Sequence, residues 1–200
     1  IFQGVSVPEV STLDETLSIN EQFEGKDLRL EFQKIGISAL RINPKEYKDV
    51  DMKQFMIAVY IFDETKLRSY MKKTEDEKMV AGLVYIDNYE EALESIEEVR
   101  RSLLGALIDR KINKFFSSYD GIVKKIEKDK YFIAFKYKFL PDMERNRFSL
   151  LEDVKSVNIG NEMAITLSIG IGISGDSYNA NYELARAAID LALGRGGDQA

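Results

Sequence analysis

The sequence contains no cysteine and no histidine. The first absence removes a disulfide framework and a thiol nucleophile, and with the second goes any Cys/His zinc site. Without histidine there is also no imidazole general base and no His-ligated haem. A metal would have to be held by carboxylates, carbonyls or phosphate oxygens, which favours magnesium or manganese. Basic residues are outnumbered, 28 to 34, which leaves a net charge of −6. Such an acidic chain is a poor match for nucleic acid, which rewards a basic face, so no nucleic-acid partner is expected. Long apolar runs are missing too: stretches such as residues 80–86 fall far short of the ~18 residues that span a bilayer. No signal-peptide pattern opens the chain, and Ile1-Phe2-Gln3-Gly4 reads as the middle of a domain. The expectation is a soluble, cytoplasmic portion of a protein.

What is present suits folded structure. A chain of 200 residues makes one large domain or two small ones. The first segment covers residues 1–63, where the polar residues before Gly25 read as a helix and three strands follow. Leu28-Arg29-Leu30-Glu31-Phe32 alternates with the period of a half-buried strand, residues 35–42 repeat it, and residues 55–62 follow beyond a polar loop. Consecutive antiparallel strands of this kind form a meander with one face to cover. Residues 64–78 are strongly charged, with Leu67, Tyr70, Met71 and Thr74 near helical spacing. They predict a connecting helix, either a solvated linker or a dimerising signalling helix. Asp63 or Thr65 is suited to cap its first free amides.

The second segment covers residues 79–200 and opens on the continuous apolar run 80–86, the pattern of a central strand covered on both faces. Residues 90–117 read as one long helix with Leu93, Ile96, Val99, Leu103, Leu107 and Phe115 as its inward stripe. Residues 121–126 and 131–137 are strands joined by Glu127-Lys128-Asp129-Lys130. A polar helix follows over 143–157, then a buried strand over 166–174 and an amphipathic helix over 181–193. The order β-α-β-β-α-β-α is that of a ferredoxin-like core, so the predicted fold class is α+β.

The closing strand, helix and glycines resemble the end of a GGDEF (diguanylate cyclase) domain. The wording Leu191-Ala192-Leu193-Gly194-Arg195-Gly196-Gly197-Asp198-Gln199-Ala200 more narrowly resembles the GdpP/YybT-type cyclic-di-AMP phosphodiesterases. In that family such a run ends a degenerate GGDEF domain and leads into a catalytic DHH/DHHA1 domain, and Ile86-Asp87-Asn88-Tyr89 is similar to a run its members carry. The first segment resembles the later part of a PAS domain, leaving through an Asp-x-Thr step at Asp63-Glu64-Thr65. The resemblance implies a partial PAS-like domain at 1–63, a connecting helix at 64–78 and a degenerate GGDEF domain at 79–200. It also implies a membrane-anchored, homodimeric parent whose C-terminal phosphodiesterase domain hydrolyses cyclic-di-AMP with manganese. None of that domain's metal ligands is present here.

An active GGDEF domain needs two carboxylates for a metal pair and two glycines against which nucleotide can lie. The family's Asp-x-Asp-x-Phe-Lys positions read Tyr85-Ile86-Asp87-Asn88-Tyr89-Glu90, so one metal-holding Asp is Tyr85 and the phosphate-facing Lys is Glu90; the base-reading Asn is Leu93. The Gly-Gly-Asp-Glu-Phe positions read Glu127-Lys128-Asp129-Lys130-Tyr131, without either glycine. The inhibitory Arg-x-x-Asp places hold Ser118 and Gly121. Cyclase activity is therefore not expected.

Asp87 and Asp129 remain candidates for a residual magnesium–nucleotide site, against which stands the preference of Asp for turns. Lys124, Lys125, Lys128, Lys130, Lys136 and Lys138 make the hairpin basic, either to meet phosphates or, more commonly, to guard an exposed strand edge. The Gly194-Arg195-Gly196-Gly197 run follows a helix, so it reads as a C-cap at Gly194 rather than a phosphate loop. Families of this type bind haem in their PAS-like part, but without histidine none is expected in this chain. The sequence therefore points to the regulatory portion of a cyclic-di-AMP phosphodiesterase. Its alternatives are a weak magnesium-dependent ATPase and a nucleotide- or protein-binding module without turnover.

Overall fold

The computed structural model describes residues 16–36, 55–94 and 96–200, and the chain divides into two compact units, 1–73 and 74–200. The first unit holds a three-stranded antiparallel sheet in the order β1 (Leu17–Phe23), β2 (Lys26–Gly36), β3 (Phe55–Asp63). Of the residues predicted as helix before Gly25, Leu17–Phe23 form a strand. Leu17, Ile19 and Phe23 alternate with more exposed residues, and Glu24 and Gly25 both take positive φ (48° and 75°), as a two-residue hairpin turn requires. Leu30 and Phe32 are buried beneath Leu17, Ile19, Leu28 and Ile57. Of the predicted strand 35–42, Ile35 and Gly36 belong to β2, and the rest lies outside the described residues.

Helix α1 (Thr65–Asp76) starts where the sequence expects it. The Asp63 carboxylate accepts from the Thr65 amide at 3.1 Å and from its hydroxyl at 2.6 Å, and these bonds hold the Asp63 carboxyl below its usual value. The Thr65 hydroxyl in turn accepts from the Asp27 amide at 3.0 Å, which ties the helix start to the first hairpin. Among the described residues, no helix is long and apolar enough to cross a membrane.

The second unit is the predicted ferredoxin-like core. Its antiparallel sheet runs β5 (Ile122–Lys125), β6 (Lys130–Lys136), β4 (Met79–Ile86), β7 (Leu167–Gly172). One face packs Val80, Val84, Ile133, Phe135, Leu167 and Ile169 against helices that follow β4 and β6. The other face packs Leu83 against Ala185 and Ile189 of α6 (Tyr178–Gly194), and β4 residues 80–84 are all buried, whichever face they point to. The Ile169-Gly170-Ile171-Gly172 alternation follows from that geometry. A Cβ on Gly170 would overlap the Ala185 carbonyl, and one on Gly172 the Asn181 carbonyl, so α6 lies directly on the sheet.

Two predicted helices are each divided. Residues 90–117 form α2 (Tyr89–Glu94) and α3 (Glu98–Ser117), and the break shifts the phase of the stripe. Leu104, Ile108, Ile112 and Phe116 are fully buried, whereas Leu103 is 51% and Val99 88% exposed. The polar helix over 143–157 is instead α4 (Leu140–Arg145) and α5 (Leu150–Lys155), preceded by a 3-10 turn over Tyr137–Phe139. Arg147 and Phe148 between them take positive φ, which no continuous α-helix allows.

Candidate functional site

The predicted site lies where β4 ends, and the backbone assembles it. The Ile86 amide donates to the Asp129 carbonyl at 2.9 Å, so the β5–β6 hairpin tip is tethered beside Asp87. The Asp87 amide donates to the Thr166 carbonyl at 3.0 Å. The Asn88 side chain spans the same entry to β7, donating to the Ala164 carbonyl at 2.8 Å and accepting from the Thr166 amide at 3.1 Å. Tyr89 packs against the main core. Each member of the Ile86-Asp87-Asn88-Tyr89 run thus stitches neighbouring chain to the end of β4.

The Asp87 carboxylate is taken up by the end of the chain. Its Oδ2 accepts from the Asp198 amide at 2.8 Å. Helix α6 closes with the Gly196 amide on the Leu193 carbonyl (3.0 Å) and the Gly197 amide on the Ala192 carbonyl (2.9 Å), the paired bonds of a Schellman motif. The cap is one residue later than the sequence suggests: Arg195 ends the helix, and Gly196 and Gly197 take the positive φ values of 101° and 76°. Gly197 lies so close to Asp87 that a Cβ would sit 2.6 Å from Oδ2. Beyond it, the Asp198 carboxylate meets Lys155 of α5 at 2.5 Å, which raises the lysine above its usual value. The Gln199 carbonyl accepts from the Ile169 amide at 2.8 Å. The sequence signals Gly197 and Asp198 only through the glycine run; the roles of Asn88 and Lys155 carry no local pattern and emerge only when four distant segments meet.

On the α6 side, the place of the missing metal-holding carboxylate is filled. Tyr85, like Phe132 and Tyr182, packs against Leu83, Ala185 and Ile189, and the Lys130 ammonium stands 5.5 Å from the Tyr85 ring centre. Burial raises the Tyr85 phenol above its ordinary value, only partly offset by Lys130. Lys130 also pairs with Glu127 at 2.7 Å, and Glu127 and Lys128 stand exposed where glycines would give nucleotide a bare backbone. Four of the six hairpin lysines are paired: Lys125 with Asp109, Lys130 with Glu127, and Lys136 and Lys138 with Glu77. That pattern suits a guarded strand edge better than a phosphate-binding surface.

One feature of the site suits a cation. Asp87 Oδ1 is buried without a hydrogen-bond partner, as is Asp198 Oδ1. Among the described residues, however, no three carboxylates gather where they could hold a metal ion. With Tyr85 in place of an acid, the residues present do not fit a metal pair.

Comparisons with known proteins agree with this geometry. The family model for the GGDEF domain of cyclic-di-AMP phosphodiesterase GdpP-like proteins matches residues 84–200. A cyclic-di-AMP phosphodiesterase GdpP of Geobacillus thermodenitrificans is 29% identical over 160 residues, 80% of this chain and 24% of the relative. The cyclic-di-AMP phosphodiesterase PdeA of Listeria monocytogenes is 30% identical over 141 residues, 70% of this chain and 22% of the relative. The chain therefore spans about a quarter of the length of these curated relatives. Among solved structures, the GGDEF domain of DgcB from Caulobacter crescentus in complex with c-di-GMP matches with a TM-score of 0.53 at 16% identity, covering 66% of this chain and 82% of that one. Residues 84–200, with the broken hairpin signature and the glycine-rich close latched onto Asp87, belong to the GGDEF domain family of GdpP-like cyclic-di-AMP phosphodiesterases.

Proposed function

We propose that this chain is the regulatory portion of a membrane-anchored cyclic-di-AMP phosphodiesterase, and that its GGDEF domain has lost diguanylate cyclase activity. The observation that carries the loss is Tyr85, packed against the cluster of Leu83, Ala185 and Ile189 where a cyclase needs a metal-holding carboxylate. The relatives named as cyclic-di-AMP phosphodiesterases are more than three times as long, which leaves room for a separate C-terminal phosphodiesterase domain. In this reading the manganese chemistry belongs to that domain. The latch of Asp87 on the Asp198 amide sets the direction in which the polypeptide leaves the GGDEF fold. The first unit acts as the PAS-like input, and α1 pairs two copies through Leu67 and Met71, four residues apart and 55% and 63% exposed.

The test is to supply the purified chain with GTP, or with ATP, and magnesium, and to look for cyclic dinucleotide. The reading expects none, and accumulation of either product would overturn it. The regulatory part is tested in the full-length natural protein. Asp87→Ala, which cuts the latch, is expected to change the cyclic-di-AMP hydrolysis rate. An unchanged rate would remove the latch from the relay.

A second reading keeps a magnesium–nucleotide at Asp87 and Asp129, with weak ATP turnover or with binding alone. The unpartnered Oδ1 of Asp87 is the observation in its favour. Loss of a magnesium-dependent nucleotide signal in an Asp87→Ala, Asp129→Ala double variant would support it, and an unchanged signal would dismiss it.

A further inference from the structure

Helix α3 carries two apolar stripes, and the core uses one of them. Leu104, Ile108, Ile112 and Phe116 are buried in it, whereas Val99, Leu103 and Leu107 repeat the same i, i+4, i+8 spacing on the opposite side. Val99 is 88% and Leu103 51% exposed, and Leu107 is half-buried. Single apolar side chains are ordinary on a protein surface, but a row of them along one helix suits a partner. The exposed Ala106 and Arg110 extend the row, so that Val99, Leu103, Ala106 and Arg110 follow at intervals of four, three and four residues. That is the seam spacing of paired helices, and Ala106 is small enough to let a second backbone come close.

Charge along the helix selects the partner and its direction. Around the start of α3 stand the exposed Glu94, Glu97 and Glu98, and in its second half stand Arg110, Lys111 and Lys114. Among the described residues none of these three cations pairs with a carboxylate, unlike most hairpin lysines, and the neighbouring Asp109 is taken by Lys125 at 2.9 Å and by the Tyr131 hydroxyl. At the acidic end, Glu97 meets Arg100 only at 3.9 Å with both side chains largely exposed, a loose pair, and Arg101 donates to the Ile96 carbonyl. A second copy of this helix laid parallel sets like charge against like. Laid antiparallel, it sets the acidic end of each helix against the basic end of the other.

We propose that α3 pairs antiparallel with α3 of a second copy of this chain. Leu103 lies at the two-fold axis, Val99 packs on Leu107 of the second copy, and Arg110 and Lys114 reach its Glu97 and Glu94. One helix pair covers a surface at the small end of protein interfaces, so the association is weak and transient. The pairing does not rest on the loss of cyclase activity, and it is separate from pairing through α1.

Sedimentation equilibrium of the 200-residue chain carrying Leu67→Glu and Met71→Glu, which silence α1, tests it from micromolar to millimolar concentration. A monomer–dimer equilibrium is expected, weakened about tenfold or more by Leu103→Glu, less by Leu103→Ala, and weakened by added salt. Leu191→Glu, at an exposed leucine of α6, is expected to leave it unchanged. Glu97→Lys and Arg110→Glu are each expected to weaken the dimer, and together in one chain to restore it. A chain that stays monomeric throughout, or a dimer indifferent to Leu103→Glu, overturns the proposal. A dimer lost as fully in Leu191→Glu overturns it as well. A double variant no better than either single one overturns the antiparallel arrangement and the proposal with it.

Discussion

Gly197 and Gly194 stand three residues apart in the closing run and carry opposite constraints. Gly197 holds φ at 76° with Asp87 Oδ2 in the space of a side chain, whereas nothing lies within 4 Å of a Cβ on Gly194. Gly197→Ala is therefore expected to cost about 1–3 kcal/mol through backbone strain and the collision with Asp87. Gly194→Ala, at the last position of α6, is expected to be neutral or to stabilise by up to about 1 kcal/mol, since it lowers the entropy of the unfolded chain. Urea denaturation of the two variants checks both signs. Equal effects would mean that the chain end does not bear on Asp87. At this scale the sequence is most informative about what is missing. Tyr85, Glu127 and Lys128 are legible as losses without coordinates, while the partner that occupies Asp87 lies 111 residues away and leaves no local trace.

At the scale of elements, period carries far and phase does not. The strands β4 and β6 were legible because a continuous apolar run and an alternating one each have a single covered solution. The stripe read from the sequence is out of phase with α3 because the break between Glu94 and Glu98 resets the helix, so Leu104 rather than Leu103 faces the core. Leu104→Ala is expected to cost about 2–5 kcal/mol by loss of apolar contact and cavity formation, and Leu103→Ala less than about 0.5 kcal/mol. Thermal unfolding of the pair tells whether the break is real, since a continuous helix would reverse their order. The β1 segment reads as helix in the sequence because Glu24-Gly25 is not among the strongest hairpin-turn dipeptides, although the alternation of Leu17, Ile19 and Phe23 is present. Helix α1 bears on assembly. If Leu67 and Met71 face a second copy, Leu67→Glu with Met71→Glu shifts a dimer of the full-length protein to monomer in analytical ultracentrifugation; an unchanged dimer would assign α1 to a solvated linker.

At the scale of the whole molecule, the ferredoxin-like core is kept while residues of the cyclase motifs are replaced, as at Tyr85, Glu127 and Lys128. Fold persists because it rests on distributed burial, from Val84 and Ile133 to Leu167, whereas a metal site rests on two or three side chains. The positions that cyclases devote to nucleotide here serve cohesion: Tyr85 fills a hydrophobic seat, and Asp87 fastens the exit of the chain. The most direct measurement is hydrolysis of cyclic-di-AMP with manganese by the full-length natural protein, run beside the 200-residue chain. The account predicts linear product from the full-length protein and none from the chain alone. No product from a folded, metal-loaded full-length protein, or turnover by the chain itself, would contradict it.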